Sequence, residues 1–433
     1  MFSDKIKKEM DSLISIAKKY RKGSISESMF YDVIYSLKPN DNKSLIACCK
    51  NYIADSGINL VSDEFDIDED VDDANDSIYI TPYNMTNIDI SPKPLTLDLI
   101  LGRLDPENDE IDLLPDFQRR AGLWTNIQKS QLIESLILRI PLPAFYFDAS
   151  NNDKWIVIDG LQRLTALKEF FVTKQLELTG LEFLKDLEGV KVDDVPRVYM
   201  RRMLETQMTA YIINPGAAVN LKYNIFKRIN TGGLKLENQE IRHALYQGYA
   251  TMYVKRLVAN DLFKQATGYS VKTDRMLDRE FALRFIAFYE QKLSLYGGSI
   301  ELFLNDAMDL INKKYDPQKN PGYANSIEEK FMSTLELIRS LFGQFAFRKM
   351  PDMQKRRPIS KALFETWMVS LARLTLDECT KLKNNKDILL EKYMRMYDND
   401  RDFIESLSSA KVYSVKKRFE KIEGLLGEVL NDK

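Results

Sequence analysis

The chain has 433 residues, of which 44% are hydrophobic and 29% charged, enough apolar material for the cores of two to three domains. Lys and Arg total 62 against 64 Asp and Glu, so the formal charge of -2 gives no overall polybasic character. The single histidine, His243, excludes HExxH zinc hydrolases, Cys/His zinc fingers and metal nucleases that need two histidines, and it would have to serve any Ser-His or Cys-His pair. Adjacent Cys48 and Cys49 cannot form an ordinary disulfide, and with Cys379 they make no CxxC motif. No apolar run reaches membrane-spanning length, and the charged segment Met1 to Met10 lacks a signal-peptide core, so a reducing cytoplasm and no membrane partner are expected.

In chain order, residues 1–62 read as a small helical domain. Its apolar stripes are Leu13, Ile14, Ile16 and Ala17; Met29, Phe30, Val33, Ile34 and Leu37; and Leu45, Ile46, Cys49, Tyr52 and Ile53. Gly57 is placed to end the third helix, and Ile58 to Val61 is extended. Residues 63–76 then carry nine acids and no base, and outside that stretch the chain is formally about +7. Like charges with few apolar residues repel one another, which predicts a disordered acidic linker over 63–77. Short extended pieces are expected at 78–80 and 88–90, and a helix over Leu95 to Leu104. Helical spacing also marks Asn126 to Arg139. Phe145 to Phe147 and Trp155 to Ile158 flank the turn-rich Ala149 to Asp153, the pattern of a β-hairpin. Residues 78–240 thus form a mixed α/β domain, and 241–433 an almost wholly helical one. The helical part carries apolar stripes at Phe281, Phe285, Ile286 and Phe288 and at Ile300, Phe303, Leu304 and Met308.

Three segments of the mixed domain are rich in ligand-binding chemistry. In Ile158-Asp159-Gly160-Leu161-Gln162-Arg163, a strand ends, Asp159 and Gly160 turn the chain, and a helix begins. Free backbone N–H groups and a helix dipole at one point suit a phosphate, which Arg163 can also grip bidentately. Asp159 at the strand end can hold a divalent cation or position a water, and the same two residues can equally form a helix cap and a salt bridge. The segment from Leu114 to Arg120 sets Gln118, Arg119 and Arg120 beside Phe117, with Trp124 following, where the aromatics pack a core or stack on a base. The third segment, Asn230-Thr231-Gly232-Gly233, is either a tight loop admitting a ligand to the backbone or an ordinary helix-ending turn, with Glu240 and Arg242 beyond it.

Taken together, LPDFQRRAGLW, LIESLILRIPLPAFYF, WIVIDGLQRLTAL and FKRINTGGLKLENQEIRHAL resemble the N-terminal domain of GmrSD-type restriction endonucleases over residues 111–245. DREFALRFIAFYE, YGGSIELFLNDAM and PISKALFETWMVSLARL extend the similarity more weakly. The resemblance implies a ParB/sulfiredoxin-like fold with a DGQQR signature, matched here by Asp159, Gly160, Gln162 and Arg163. Gln118 and Arg119 match its FQR element, and Asn230, Thr231 and Gly233 its INTGG element. It further implies a nucleoside triphosphate bound by these residues, with Mg2+ on Asp159 and with Asp159, Gln162 and Arg163 catalytic. Leu161 departs from the signature, which has glutamine there; if that glutamine orients the attacking water, hydrolysis is weakened. Residues 1–65 more softly resemble the acidic N-terminal region of primary bacterial sigma factors, through Gly23 to Ser26, Gly57 to Val61 and the acidic tail.

Relatives carry an HNH nuclease domain or have it on a partner subunit, and one histidine cannot build that site. His243 therefore reads as structural. The resemblance implies an NTP-hydrolysing sensor or regulatory component of a DNA-restriction, anti-phage system, with DNA (modified or phage-derived) and a nuclease subunit as partners. Lys355, Arg356 and Arg357, or Arg197, Arg201 and Arg202, are the basic clusters that would contact DNA, with the acidic arm competing for them, or else are ordinary solvated surface. A catalytically silent ParB-like DNA-binding adaptor, and a metal-dependent nuclease acting through Asp159, are the alternatives.

Overall fold

A computed structural model of the chain describes residues 6–7, 10–11, 14, 24–26, 30, 42–61, 90–113, 124–151, 154–214, 219–229, 237–273, 275–350 and 357–431. The expected acidic linker, the extended piece at 78–80, residues 351–356 and two of the three candidate segments lie outside them. The chain divides into two compact units, Ile80–Leu245 and Met1–Tyr79 with Tyr246–Lys433.

Near the N-terminus, strand β1 (Ser24–Ser26) pairs in parallel with β2 (Asn59–Val61), and helix α1 (Asn42–Asp55) lies between them in sequence. Met10, Ile14, Phe30, Cys49, Ile53 and Ile58 form a small buried core. Gly57, with φ 74°, closes α1: its N–H reaches the Ala54 carbonyl at 2.9 Å and the Ile58 N–H reaches Ile53 at 3.2 Å. Ser24–Ser26, within the segment that resembles sigma factors, is a strand. Its partner is more than thirty residues away in sequence, so local spacing carries no sign of the pairing.

The Ile80–Leu245 unit holds a five-stranded mixed sheet. Its strands are β3 (Ile90–Thr96), β4 (Ile111–Asp112), β5 (Phe145–Asn151), β6 (Lys154–Asp159) and β7 (Gln207–Ile213), in the order β3-β7-β5-β6-β4. β5 and β6 form the expected antiparallel hairpin, whereas β5 runs parallel to β7. Strand side chains alternate between faces. Phe145, Phe147, Val157, Ala210 and Ile212 therefore enter one core, with α2 (Leu97–Leu104), α3 (Asn126–Ile137) and α4 (Leu161–Leu167) packed on it. Ile90, Tyr146, Ile156, Ile158 and Ile213 face the other way, against Tyr223 and Phe226 of α6 (Val219–Ile229) and Ile241 and Ala244 of α7 (Asn238–Leu245). α5 (Arg197–Leu204), whose Met203 is buried in the first core, leads into β7.

Local chemistry sets the helix starts. Thr125 and Gln128 make a reciprocal capping box for α3, and Thr96 caps α2, so Leu95 and Thr96 belong to β3 and not to the helix. Leu164, Leu167, Phe170 and Phe171, apolar at helical spacing, cross a change of helix type: α4 passes into a π-helical stretch, Lys168–Val172. The wider winding leaves Phe170 buried and Phe171 half-buried, edge-on at 4.9 Å.

The remaining helices, α8 (Tyr249–Ala259), α9 (Asp261–Ala266), α10 (Leu277–Glu290), α11 (Ile300–Lys314), α12 (Tyr323–Phe342), α13 (Lys361–Ala372), α14 (Leu376–Asn384), α15 (Lys386–Asn399), α16 (Arg401–Ser406) and α17 (Val412–Asn431), make the C-terminal region mostly helical. Phe281, Phe285 and Phe288 of α10 sit at its centre, in ring contact with Phe364, Phe331 and Phe419. A buried ion network runs beside them: Arg284 bonds Glu280 and Glu365 at 2.9 Å each, and Arg418 bonds the other Glu365 oxygen. Among the described residues no helix is long and apolar enough to cross a membrane.

Candidate functional site

The hairpin brings four residues into one row across the sheet: Pro92 of β3, Tyr211 of β7, Tyr146 of β5 and Asp159 of β6. Tyr146 and Tyr211 stack with ring centroids 4.9 Å apart. Burial, then the neighbouring Tyr211 and Asp159, raise the Tyr146 phenol above its ordinary range, so it stays protonated at neutral pH.

Asp159 ends β6 with its side chain 35% exposed, and one carboxylate oxygen lies 2.9 Å from Arg163 Nη2. Arg163 is turned inward, its side chain only 10% exposed. Its Nη1 donates to the Pro143 carbonyl and its Nη2 to that of Ala144 at 3.2 Å, while the guanidinium carbon lies 4.4 Å from the Phe145 ring centroid. Burial lowers its pKa and Asp159 opposes that, but a guanidinium remains charged throughout the physiological range. Arg163 thus ties the approach to β5 to the end of β6 and fixes Asp159.

Gly160 between them has φ 101°, and a Cβ built there would collide with the Phe145 ring and lie 3.2 Å from Arg163 Nη2. Only glycine allows this turn. Leu161, where the resembling signature has glutamine, is half-buried against both cores. Gln162 Oε1 accepts the Trp124 N–H at 3.4 Å, which links the turn to the start of α3, and Trp124 packs against the larger core.

The structure therefore brings together Asp159, Gly160, Gln162 and Arg163. Gln118, Arg119, Asn230, Thr231 and Gly233 lie outside the described residues, as do Lys355 and Arg356. His243 is buried on α7. Arg197 and Arg201 of α5 are exposed and line a surface concavity of about 500 Å³ with Thr96, Asp98 and Met200. Arg202 reaches back to the Ile137 carbonyl at 3.5 Å. A second concavity of about 800 Å³ involves Arg103, Glu110, Lys174 and Asp193. Neither borders Asp159.

Sequence reasoning missed the buried Lys222–Asp148 pair and the buried Gln239 beside Arg242. Lys222 of α6 grips both oxygens of Asp148 on β5, at 2.9 and 3.1 Å, with side-chain exposures of 8% and 4%. On α7, Gln239 and the fully buried Arg242 are hydrogen-bonded to each other. The signal in Asp148 was an acid inside an apolar strand; nothing local named its partner.

Residues 104–247, about a third of the chain, match the family described as GmrSD restriction endonuclease, N-terminal domain. The matched segment runs from the end of α2 to just beyond α7 and contains all three candidate segments named from the sequence. No curated protein and no solved structure matches the chain.

Proposed function

We propose that the turn joining β6 to α4 is a nucleotide site, and that the protein is an NTP-hydrolysing sensor or regulatory component of a DNA-restriction, anti-phage system whose nuclease is carried by another chain. The observation that carries this reading is Asp159: a partly exposed carboxylate, fixed by a buried guanidinium, inside the segment similar to a restriction-endonuclease domain. The mixed sheet is read with it as ParB/sulfiredoxin-like.

In this reading Arg163 positions Asp159, Gly160 lets a ligand approach the backbone, and Gln162, held by the Trp124 N–H, orients water or base. Gln118, Arg119, Asn230, Thr231 and Gly233 complete the site through the family-like motifs. Among the described residues no three His, Cys, Asp or Glu side chains gather as a metal cage. A lone carboxylate fits Mg2+ that arrives on the nucleotide phosphates, since Mg2+ is commonly held by one or two carboxylates plus phosphate oxygens. Bound there, Mg2+ would neutralise phosphate charge. Exposed Arg197 and Arg201 offer phosphate contacts to DNA, with binding that weakens as salt rises.

The second reading, a catalytically silent adaptor, is favoured by Leu161 in place of glutamine. Titrating ATP, GTP, CTP and UTP while following phosphate release, for wild type, Asp159→Ala and Arg163→Ala, separates the readings. Release that is lost in both variants is the expected result. Binding without release in the wild type supports the adaptor, and DNA nicking without nucleotide supports a nuclease acting through Asp159.

A further inference from the structure

Helix α7 carries a buried side chain that is hydrogen-bonded at one end only among the described residues. Gln239 is 1% exposed, and its Oε1 accepts a hydrogen bond from Arg242 Nη1 at 2.9 Å. A guanidinium has donors and no acceptor, so this contact fixes which end of the amide faces Arg242. The other end, Nε2, is buried and has no acceptor among the described residues. Buried polar groups are almost always paired, and an unpaired one costs about 1–3 kcal/mol.

The amide is also held in place. Arg242 is fully buried, with its guanidinium carbon 5.8 Å from the ring centroid of Tyr223 on α6. A cation on the amide oxygen polarises the N–H bonds, which makes Nε2 a stronger donor toward an oxygen acceptor. Ile241 and Ala244 of the same helix pack in one cluster with Ile158, the residue before Asp159. The helix that carries the orphan donor therefore packs, through its Ile241 and Ala244 face, on the strand that ends at Asp159.

We propose that Gln239 is a ligand-contacting residue whose Nε2 donates to an oxygen of the bound nucleotide. This rests on the nucleotide-binding reading above and adds a contact outside the DGLQR turn. The acceptor is either a phosphate oxygen or a base carbonyl. Because Nε2 is closed off from solvent, the contact forms with local opening at the first turn of α7.

Calorimetric titration of the full chain with inorganic tripolyphosphate, ATP, GTP and UTP, each with Mg2+, tests this on wild type, Gln239→Glu and Gln239→Met. Both substitutions remove the donor; glutamate keeps an acceptor for Arg242 and is the one expected to retain the fold, while methionine adds no charge. Circular dichroism and thermal melts establish which variants are folded. Binding about tenfold weaker or worse is expected in each folded variant. Weakening toward tripolyphosphate and every nucleotide assigns the acceptor to phosphate; weakening toward GTP and UTP with ATP unchanged assigns it to a base carbonyl. Wild-type affinity for all four ligands in either folded variant overturns the Gln239 contact alone. A wild-type chain that binds no nucleotide overturns the nucleotide reading and this contact with it.

Discussion

Gly160 and Phe145 share one space: the Phe145 ring lies where a side chain at Gly160 would have to go, and a Cβ there would sit 2.9 Å from Cε1. The same ring is the surface on which Arg163 rests. Gly160→Ala must therefore displace the ring and strain a backbone at φ 101°. The expected loss is about 2–4 kcal/mol in urea unfolding, through overpacking and positive-φ strain. A loss under about 0.5 kcal/mol would contradict the geometry.

Breaking the buried Lys222–Asp148 pair on one side removes the ammonium that both Asp148 oxygens share, at a site almost closed to water. Lys222→Met is expected to cost about 3–5 kcal/mol, and the double variant Lys222→Met/Asp148→Leu to recover a large part of it. Equilibrium unfolding of the two single variants and the double gives the coupling directly. Additive losses would show that the pair is not the energetic unit.

Glu134 on α3 pins an entire loop. Its carboxylate accepts the N–H groups of Glu182 at 3.0 Å and of Phe183 and Leu184 at 2.7 Å each, holding Phe183 outward at 69% exposure. Burial pushes the carboxyl up, but the backbone N–H bonds outweigh it and hold it below the ordinary glutamate value of 4.5. A depressed folded pKa adds stability above the unfolded value, lost as pH falls through the folded one. Glu134→Gln should therefore remove about 1–3 kcal/mol near neutral pH and less in strong acid. Hydrogen exchange at 182–184 should speed up in the variant at pH 7.

Asp278, in the first turn of α10, has the opposite sign. It is buried, and desolvation lifts its carboxyl from 3.8 to about 6 against the Arg279 N–H that bonds it. A raised folded pKa means stability is fullest below the unfolded value and declines as pH rises through the folded one, from about pH 4 to about 6. Asp278→Asn should flatten that decline and be more stable than wild type at pH 7 by about 2–3 kcal/mol. Parallel thermal melts from pH 4 to 7.5 measure it, and identical pH profiles would refute it.

Much of the frame was legible in the amino-acid order. The apolar runs Phe145-Tyr146-Phe147 and Trp155-Ile156-Val157-Ile158 on either side of the turn-rich Ala149 to Asp153 marked the hairpin. The Asp-Gly step after Ile158 marked the turn, and the Phe281, Phe285 and Phe288 stripe marked α10. These signals are local, carried by residues a few positions apart. The helix break at Lys168–Val172 was not legible, because the periodicity of Leu164 to Phe171 reads the same with α- or π-winding.

The sequence by itself determined the order of elements, the absence of a two-histidine metal site and the DGLQR turn as the place to look. Only the tertiary structure decided what those residues do there. Arg163 reads as an open phosphate grip until Pro143, Ala144 and Phe145 fold around it, and Asp148 meets Lys222 only because α6 lies over β5. Gln239 looks like any helical glutamine until Arg242 takes its oxygen and burial isolates its nitrogen. Such pairings depend on which surfaces exclude water from one another, and that is a property of chain segments meeting across tens of residues.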